Sequence, residues 1–90
     1  MGISDKITEL YRIITGLKTI EECEMFFDDL CTKKEIEKMA ERIYAAKLLM
    51  DGKTYNQVIA ETEISSATLS RVSQCVQYGN GYSKLLKKDP

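Results

Sequence analysis

Three helix-start signals divide this chain of 90 residues into short segments. Each signal is a threonine followed three residues later by glutamate or glutamine, and the two side chains can exchange hydrogen bonds with the backbone at a helix start. The signals lie at residues 19–22, 32–35 and 54–57. No segment alternates apolar and polar residues as a half-buried strand would, so the sequence predicts an all-α fold with five to six helices.

Apolar residues at helical spacing extend these starts into complete helices. The expected segments are Ser4–Leu17, Thr19–Leu30, Thr32–Asp51, Thr54–Thr62, Ser66–Gln77 and a last turn at Tyr82–Leu86. Ser4 is expected to cap the first helix, and Gly52 to close the third with a left-handed backbone. The third helix is expected to bury one apolar face, formed by Ile36, Met39, Ala40, Ile43, Ala46 and Met50.

The composition excludes several classes of protein. Histidine is absent, which removes the commonest general base and the usual partner of a serine or cysteine nucleophile, so we expect no enzyme. The cysteines Cys23, Cys31 and Cys75 fit neither a disulfide framework nor a zinc pattern, and they predict free thiols and no metal site. No apolar run approaches the roughly 18–20 residues of a membrane span, and no leader pattern opens the chain, so we expect a cytoplasmic protein.

Residues 54–78 carry the pattern of a helix-turn-helix, in which apolar side chains hold two short helices at a fixed angle. The apolar positions are Val58 and Ile59 in the first helix, Ile64 in the turn, and Leu69 and Val72 in the second helix. Short hydroxyl side chains crowd the start of the second helix, where a reading helix approaches the base edges of DNA. One hydroxyl would be enough to cap the helix, so the cluster favours contact with double-stranded DNA over capping alone.

The DNA-binding hypothesis separates residues that face bases from residues that contact the DNA backbone. We expect Ser66, Ala67 and Thr68 to face the bases. The expected backbone contacts are Lys53, Tyr55, Gln57, Ser70 and Arg71. The side chain of Arg71 could also reach the anionic group of a ligand.

Charge is unevenly distributed along the chain, although the net charge is only −1. Residues 20–30 contain five acidic and no basic residues, whereas residues 54–88 contain four basic and two acidic residues, a sum of +2. Any DNA-binding face is therefore expected in the C-terminal half. Glu63 stands in the turn at a position where glycine is usual. A left-handed Glu63 would strain the backbone, and its negative charge near the DNA would weaken the affinity. The alternative is a turn of another form.

Several longer strings are distinctive: Glu22-Cys23, Phe26-Phe27-Asp28-Asp29-Leu30-Cys31-Thr32, Glu41-Arg42, Gly52-Lys53-Thr54-Tyr55, Ala67-Thr68-Leu69-Ser70-Arg71-Val72 and Cys75-Val76-Gln77-Tyr78-Gly79. Through them, nearly the whole chain resembles the Trp repressor superfamily, and more closely its TrpR-like YerC/YecD branch. The resemblance implies an intertwined homodimer of six-helix subunits. We therefore predict a single domain over residues 1–90, with dimerisation helices in 1–31, a long central helix in 32–52, the helix-turn-helix in 54–78 and a short tail in 79–90.

The resemblance also implies a pocket for a small corepressor, which is tryptophan in Trp repressor itself. Matched by motif, Arg42 and Arg71 take the positions of two ligand-holding arginines, Thr32 that of a threonine and Cys75 that of a hydroxyl. Val72 replaces a glycine beside the second arginine, so we expect a crowded pocket in which tryptophan binds poorly and another small corepressor is the alternative. An ion pair between Arg42 and Glu61 or Glu63 is the alternative to a ligand-holding role for that arginine.

These features predict a sequence-specific transcriptional regulator, by resemblance a repressor, that acts as a homodimer on a palindromic DNA site. The alternative from another class is a protein-interaction module, in which the helix-turn-helix scaffold no longer binds DNA. In that case Phe26, Phe27 and Tyr82 would engage the partner. The low net charge and Glu63 support this alternative.

Overall fold

A computed structural model describes residues 1–86, and in this range the chain forms six helices and no strand. The helices are α1 (Ile3–Thr15), α2 (Ile20–Leu30), α3 (Lys33–Met50), α4 (Tyr55–Glu61), α5 (Ser66–Tyr78) and α6 (Gly81–Leu85). The prediction of an all-α fold is confirmed. Across the same residues no helix combines the length and the apolar character needed to cross a bilayer. Lys87 and Lys88, which contribute to the basic charge expected in the C-terminal half, lie outside the described residues together with the end of the expected tail.

The chain divides into two compact units, and the first, Met1–Lys33, contains α1 and α2. Helix α2 begins where the sequence predicts, because the Glu22 N–H donates to the Thr19 hydroxyl over 3.0 Å. The Glu22 carboxylate accepts a second bond from the Lys18 N–H, at 2.8 Å, so the returned bond falls one residue earlier than in the usual capping box. The two bonds fix the start of α2 from both sides.

The predicted cap of α1 was wrong. Ser4 lies inside the helix, where its carbonyl accepts a hydrogen bond from the Thr8 hydroxyl at 3.0 Å. The helix begins after Gly2, whose N–H donates to the Asp5 carboxylate over 3.3 Å. The Asp5 carboxylate thus binds the backbone of the residue before the helix, and no side chain caps the first turn in the way expected of Ser4.

Neither helix of the first unit contains a buried residue. The rings of Phe26 and Phe27 contact each other edge to face, with centroids 5.4 Å apart, but both remain half-buried. The exposed apolar side chains of this unit are Met1, Ile3, Ile7, Tyr11, Ile13, Ile20, Met25 and Leu30. A pair of helices that leaves so much apolar surface in water lacks a core of its own.

The second unit, from Lys34 onward, does have a core. Its buried residues are Ala45, Ala46, Leu48, Val58, Leu69 and Val72, and Leu49, Ile64, Val76, Tyr82 and Leu86 pack around them. The face predicted for α3 was wrong in part, because Ala46 is buried but Ile43 is exposed and Ala45 and Leu48 take its place. This core holds the end of α3 together with α4, α5 and α6.

Gly52 closes α3 as the sequence predicts. Its φ is +88°, the only positive φ among the described residues. The Gly52 N–H donates to the Leu49 carbonyl, and the Lys53 N–H to the Leu48 carbonyl, each over 3.0 Å. These bonds satisfy carbonyls at the end of the helix, in the arrangement that favours glycine at the left-handed position.

Candidate nucleic-acid interface

Thr54 and Gln57 fix the start of the helix-turn-helix. The Gln57 N–H donates to the Thr54 hydroxyl at 3.2 Å, and the Thr54 N–H donates to the Gln57 side-chain oxygen at 2.8 Å. The predicted capping box is therefore formed at α4. Gln57 uses its oxygen in this cap, and its amide N–H groups remain for a further partner.

The turn between α4 and α5 differs from the usual form. Thr62, which follows α4, has φ −131° and ψ 171°, and Ser65, which precedes α5, has φ −73° and ψ 161°. Both are extended, and no residue other than glycine has a positive φ in the described chain. The strain expected at a left-handed Glu63 is therefore absent, because an extended link joins the two helices and any L-residue adopts it easily.

Ser65 caps the reading helix α5. Its hydroxyl oxygen accepts from the Thr68 N–H at 3.1 Å, and its O–H donates to the Thr68 hydroxyl oxygen at 3.0 Å. Ser66 and Ala67 take no part in this cap and are exposed, whereas Thr68 is half-buried. Thr68 still has its own O–H to donate, so the start of α5 presents hydroxyl groups beyond those that the cap uses.

The anchoring of the two helices follows the sequence pattern with one exception. Val58 and Leu69 are fully buried, Val72 is 2% exposed, and Ile64 packs against this cluster from the turn. Ile59, expected as a second anchor of α4, is 40% exposed and lies outside the buried core. One apolar position is enough for the seven residues of α4 because the short helix offers only about two turns for contact.

The residues expected to contact the DNA backbone are spread over three elements. Lys53 lies between α3 and α4, Tyr55 and Gln57 form the first turn of α4, and Ser70 and Arg71 belong to α5. All five side chains are exposed. They are thus accessible to a partner molecule without rearrangement of the core.

An open groove of about 1710 Å³ runs along the second unit. Its walls come from the first part of α3, from the α4–α5 turn, from the outer face of α5 and from α6. Arg42, Arg71 and Cys75 all line it, so three of the four residues predicted for an effector pocket share one groove. Thr32, the fourth, belongs to the first unit.

The two arginines of the groove carry no ion pair with any other residue in the range 1–86. The alternative bond from Arg42 to Glu61 or Glu63 is thus not formed, although Glu63 also lines the groove. Val72 contributes the floor rather than a wall, because its side chain is almost wholly buried in the core. Among residues 1–86 the groove therefore offers guanidinium groups without an ion pair beside an apolar floor, which suits an anionic ligand or phosphate.

Two further basic residues of the groove, Lys34 and Lys38, were not predicted from the sequence. They precede Arg42 at intervals of four, so the three cations follow one face of α3. That spacing was visible in the sequence. Glu37 and Glu41 line the groove as well and offset part of this charge.

The described residues offer no metal site, since no three of their cysteine, aspartate or glutamate side chains are grouped closely enough to hold an ion. All three cysteines are half-buried free thiols, as the sequence predicts. Within residues 54–78 the charged side chains are Glu61, Glu63 and Arg71. The helix-turn-helix itself is thus close to neutral, and any excess of basic charge must come from its neighbours.

Comparison with known proteins extends these observations to the whole chain. The family model of the Trp repressor protein matches residues 5–89. The uncharacterized protein YerC of Bacillus subtilis (strain 168) is 47% identical over 75 residues, which cover 83% of this chain and 72% of that protein. The range matched by the family model includes both the N-terminal helices and the helix-turn-helix.

Two solved structures are similar to the chain. A crystal structure of a candidate Trp repressor from Staphylococcus aureus superposes with a TM-score of 0.85 at 40% identity, over 96% of this chain and 85% of the other. A TrpR-like protein from Eubacterium eligens ATCC 27750 gives a TM-score of 0.85 at 36% identity, over 91% and 86% of the two chains. The chain therefore belongs to the Trp repressor family, in its TrpR-like YerC branch.

Proposed function

We propose that this chain is a sequence-specific regulator of transcription that binds double-stranded DNA as a homodimer and acts as a repressor. One observation carries the proposal: Ser65 alone caps α5, which leaves Ser66 and Ala67 exposed at the start of the reading helix. Small side chains at this place allow a helix to approach base edges closely. Membership in a family of regulators rather than enzymes supports the same function.

The proposed mechanism separates positioning from reading. The core formed by Val58, Leu69 and Val72 holds α4 and α5 as one rigid head. Ser66, Ala67 and Thr68 face the bases, while Lys53, Tyr55, Gln57, Ser70 and Arg71 contact the phosphate backbone. Two such heads in a symmetric dimer, about one helical turn of DNA apart, prefer a palindromic site.

Selection from fragmented genomic DNA with the purified protein tests this function directly. A selected duplex is then titrated with the wild-type protein and with Ala67→Glu, which places a carboxylate against the bases. We expect at least a tenfold loss of affinity, in line with the energy of base contacts of about 1–3 kcal/mol. Ala60→Glu is the matched control, because Ala60 is an exposed alanine of the neighbouring helix α4.

Equal binding by both variants would contradict the assignment of α5 as the reading helix. If the wild-type protein selects no fragment even at low salt, the DNA-binding function itself is wrong. The protein-interaction module would then be favoured. In that event Phe26, Phe27 and Tyr82 are the first residues to substitute.

The groove is the proposed place for a small effector. Arg42 and Arg71, which form no ion pair with another residue in the range 1–86, would hold an anionic group, and Cys75 lines the same groove. Calorimetric titration with tryptophan is expected to show weak binding, because Val72 occupies the position of a smaller residue. A tenfold tightening of DNA binding by tryptophan would contradict this expectation. For any effector that does bind, Arg42→Ala should abolish its effect, and Lys47→Ala, on the same helix, should not.

A further inference from the structure

Glu63 is an acidic side chain placed beside the residues proposed to read DNA. It is exposed, it lines the same groove as Ala67 and Thr68, and it forms no ion pair with another residue between positions 1 and 86. Its place three residues before α5 puts it at the edge of the proposed interface. A carboxylate here needs an explanation, because DNA is a polyanion.

The backbone does not supply that explanation. Thr62 and Ser65 on either side of the link are extended, and Glu63 is not left-handed. An alanine or a glutamine would fit the same backbone without strain. The effect of Glu63 must therefore come from the chemistry of its side chain.

Electrostatics makes the carboxylate costly in most complexes with DNA. Arg71 is the one basic residue between positions 54 and 78, and Glu61 already balances it. Glu63 thus gives the helix-turn-helix a net charge of −1, which opposes its approach to phosphates. A carboxylate that loses water in the interface without gaining a donor adds a further cost.

Hydrogen-bond chemistry identifies the DNA sequence that removes this cost. A carboxylate only accepts hydrogen bonds, and the donors in the major groove are the amino groups of cytosine and adenine. The adenine amino group lies between two acceptors, N7 of its own ring and O4 of the paired thymine, which repel the second carboxylate oxygen. The cytosine amino group has an acceptor on one side only, so it is the better partner.

We propose that Glu63 is a specificity-determining residue: its carboxylate accepts a hydrogen bond from the N4 amino group of one cytosine in each half of the DNA site. DNA without a cytosine at that place is rejected by the unpaired charge, which is discrimination by repulsion as well as by attraction. The proposal rests on the proposed DNA-binding function and adds to it the base that this side chain selects.

Parallel selections from a random duplex library test the proposal with the wild-type protein, Glu63→Ala and Glu61→Ala. The last variant is the matched control, because Glu61 is an exposed glutamate at the end of α4 and its replacement changes the charge equally. We expect cytosine at one position of each half-site for the wild type and for Glu61→Ala. Glu63→Ala should lose that preference alone, with at least a fivefold fall in discrimination, and should bind random duplexes more tightly.

Three outcomes would overturn the proposal. If Glu63→Ala keeps every base preference and only binds more tightly, Glu63 is a repulsive charge without a reading role. If the lost preference is for a base other than cytosine, the chemical assignment is wrong. If the wild type selects no sequence at all, the proposed DNA-binding function is wrong, and the role of Glu63 is wrong with it. This result is distinct from the first two, because in those cases the wild-type protein still shows base preferences.

Discussion

Two residues show how far a local sequence signal predicts backbone conformation. The sequence predicts a left-handed backbone at Gly52 and leaves one open at Glu63, but among residues 1–86 only Gly52 has a positive φ. The signal at Gly52 is local, because the bonds that favour glycine there connect it to the helix just before it. The link at Glu63 depends on how α4 and α5 pack through Val58 and Leu69, which lie on separate helices on either side of it. A motif position alone could not predict it.

Replacement of Gly52 by alanine should destabilise the protein. An L-residue with φ near +88° meets its own carbonyl, so we expect a loss of about 1–2 kcal/mol in the free energy of unfolding. Gly81→Ala is the control, because Gly81 lies in α6 without a positive φ and no atom stands within 4 Å of an added Cβ. Thermal unfolding of both variants at one protein concentration measures the difference. A loss at Gly81 equal to that at Gly52 would argue against conformational strain as the cause.

At the scale of helices, the predicted starts agree with the structure where a capping pair is present. Thr19 and Thr54 precede α2 and α4 as expected, because a cap depends only on residues within one turn. Ser4 is not a cap because the helix begins at Ile3, before Ser4. The prediction of the buried face of α3 was wrong at Ile43, which is exposed. Which face of a helix becomes buried depends on the elements that pack against it elsewhere in the fold.

The candidate site could be predicted only in part for the same reason. Helical spacing identifies the exposed start of α5, but it does not bring α3 and α5 together. The association of Arg42 with Arg71 and Cys75 came from a family resemblance, and the structure places all three in one groove. Lys34 and Lys38 were missed, although their spacing from Arg42 follows one face of α3.

Loss of the cap at α5 should lower stability when Ser65 is replaced, but not when its neighbour Ser66 is replaced. Ser65→Ala removes the acceptor for the Thr68 N–H, so the free energy of unfolding should fall by about 1 kcal/mol. Ser66→Ala lies one residue further along, forms no capping bond and should leave stability unchanged. Denaturant unfolding of the two variants tests the assignment. Equal losses would mean that the hydroxyls share the capping role, which would weaken the case for a free DNA-binding surface.

Leu69 and Ile59 are both predicted from the sequence as apolar anchors, but their replacement should change stability by very different amounts. Leu69 is fully buried, and its replacement by alanine should cost about 2–5 kcal/mol through lost contacts and a cavity. Ile59 is 40% exposed, and Ile59→Ala should cost about 1 kcal/mol or less. The comparison is made by unfolding at equal concentration. A large loss at Ile59 would show that a partner buries this side chain.

At the scale of the whole molecule, the two units differ in what they bury. The second unit has a core, whereas α1 and α2 have no buried residue. Small domains gain stability when they bury apolar surface against a partner. We therefore expect the proposed homodimer to bury the exposed apolar side chains of the first unit.

Charges on α1 should break that dimer. Ile7 and Tyr11 are exposed apolar residues four positions apart on one face of the helix, and the double variant Ile7→Asp, Tyr11→Asp should sediment as a monomer. Thr8→Asp, Thr15→Asp places the same two charges at exposed polar positions of α1 and should remain a dimer. Analytical ultracentrifugation distinguishes these results. A wild-type protein that sediments as a monomer at high concentration would contradict the dimer itself.

The lack of buried residues in α1 and α2 also affects how regulation would depend on the concentration of the protein. When apolar surface is buried only on pairing, stability depends on concentration, and dilution favours separated and partly unfolded subunits. Occupancy of a DNA site by such a protein rises more steeply than in proportion to its abundance, because each bound unit requires two chains. If the chain represses transcription as proposed, a modest decrease in its synthesis would then relieve repression without any small molecule in the groove.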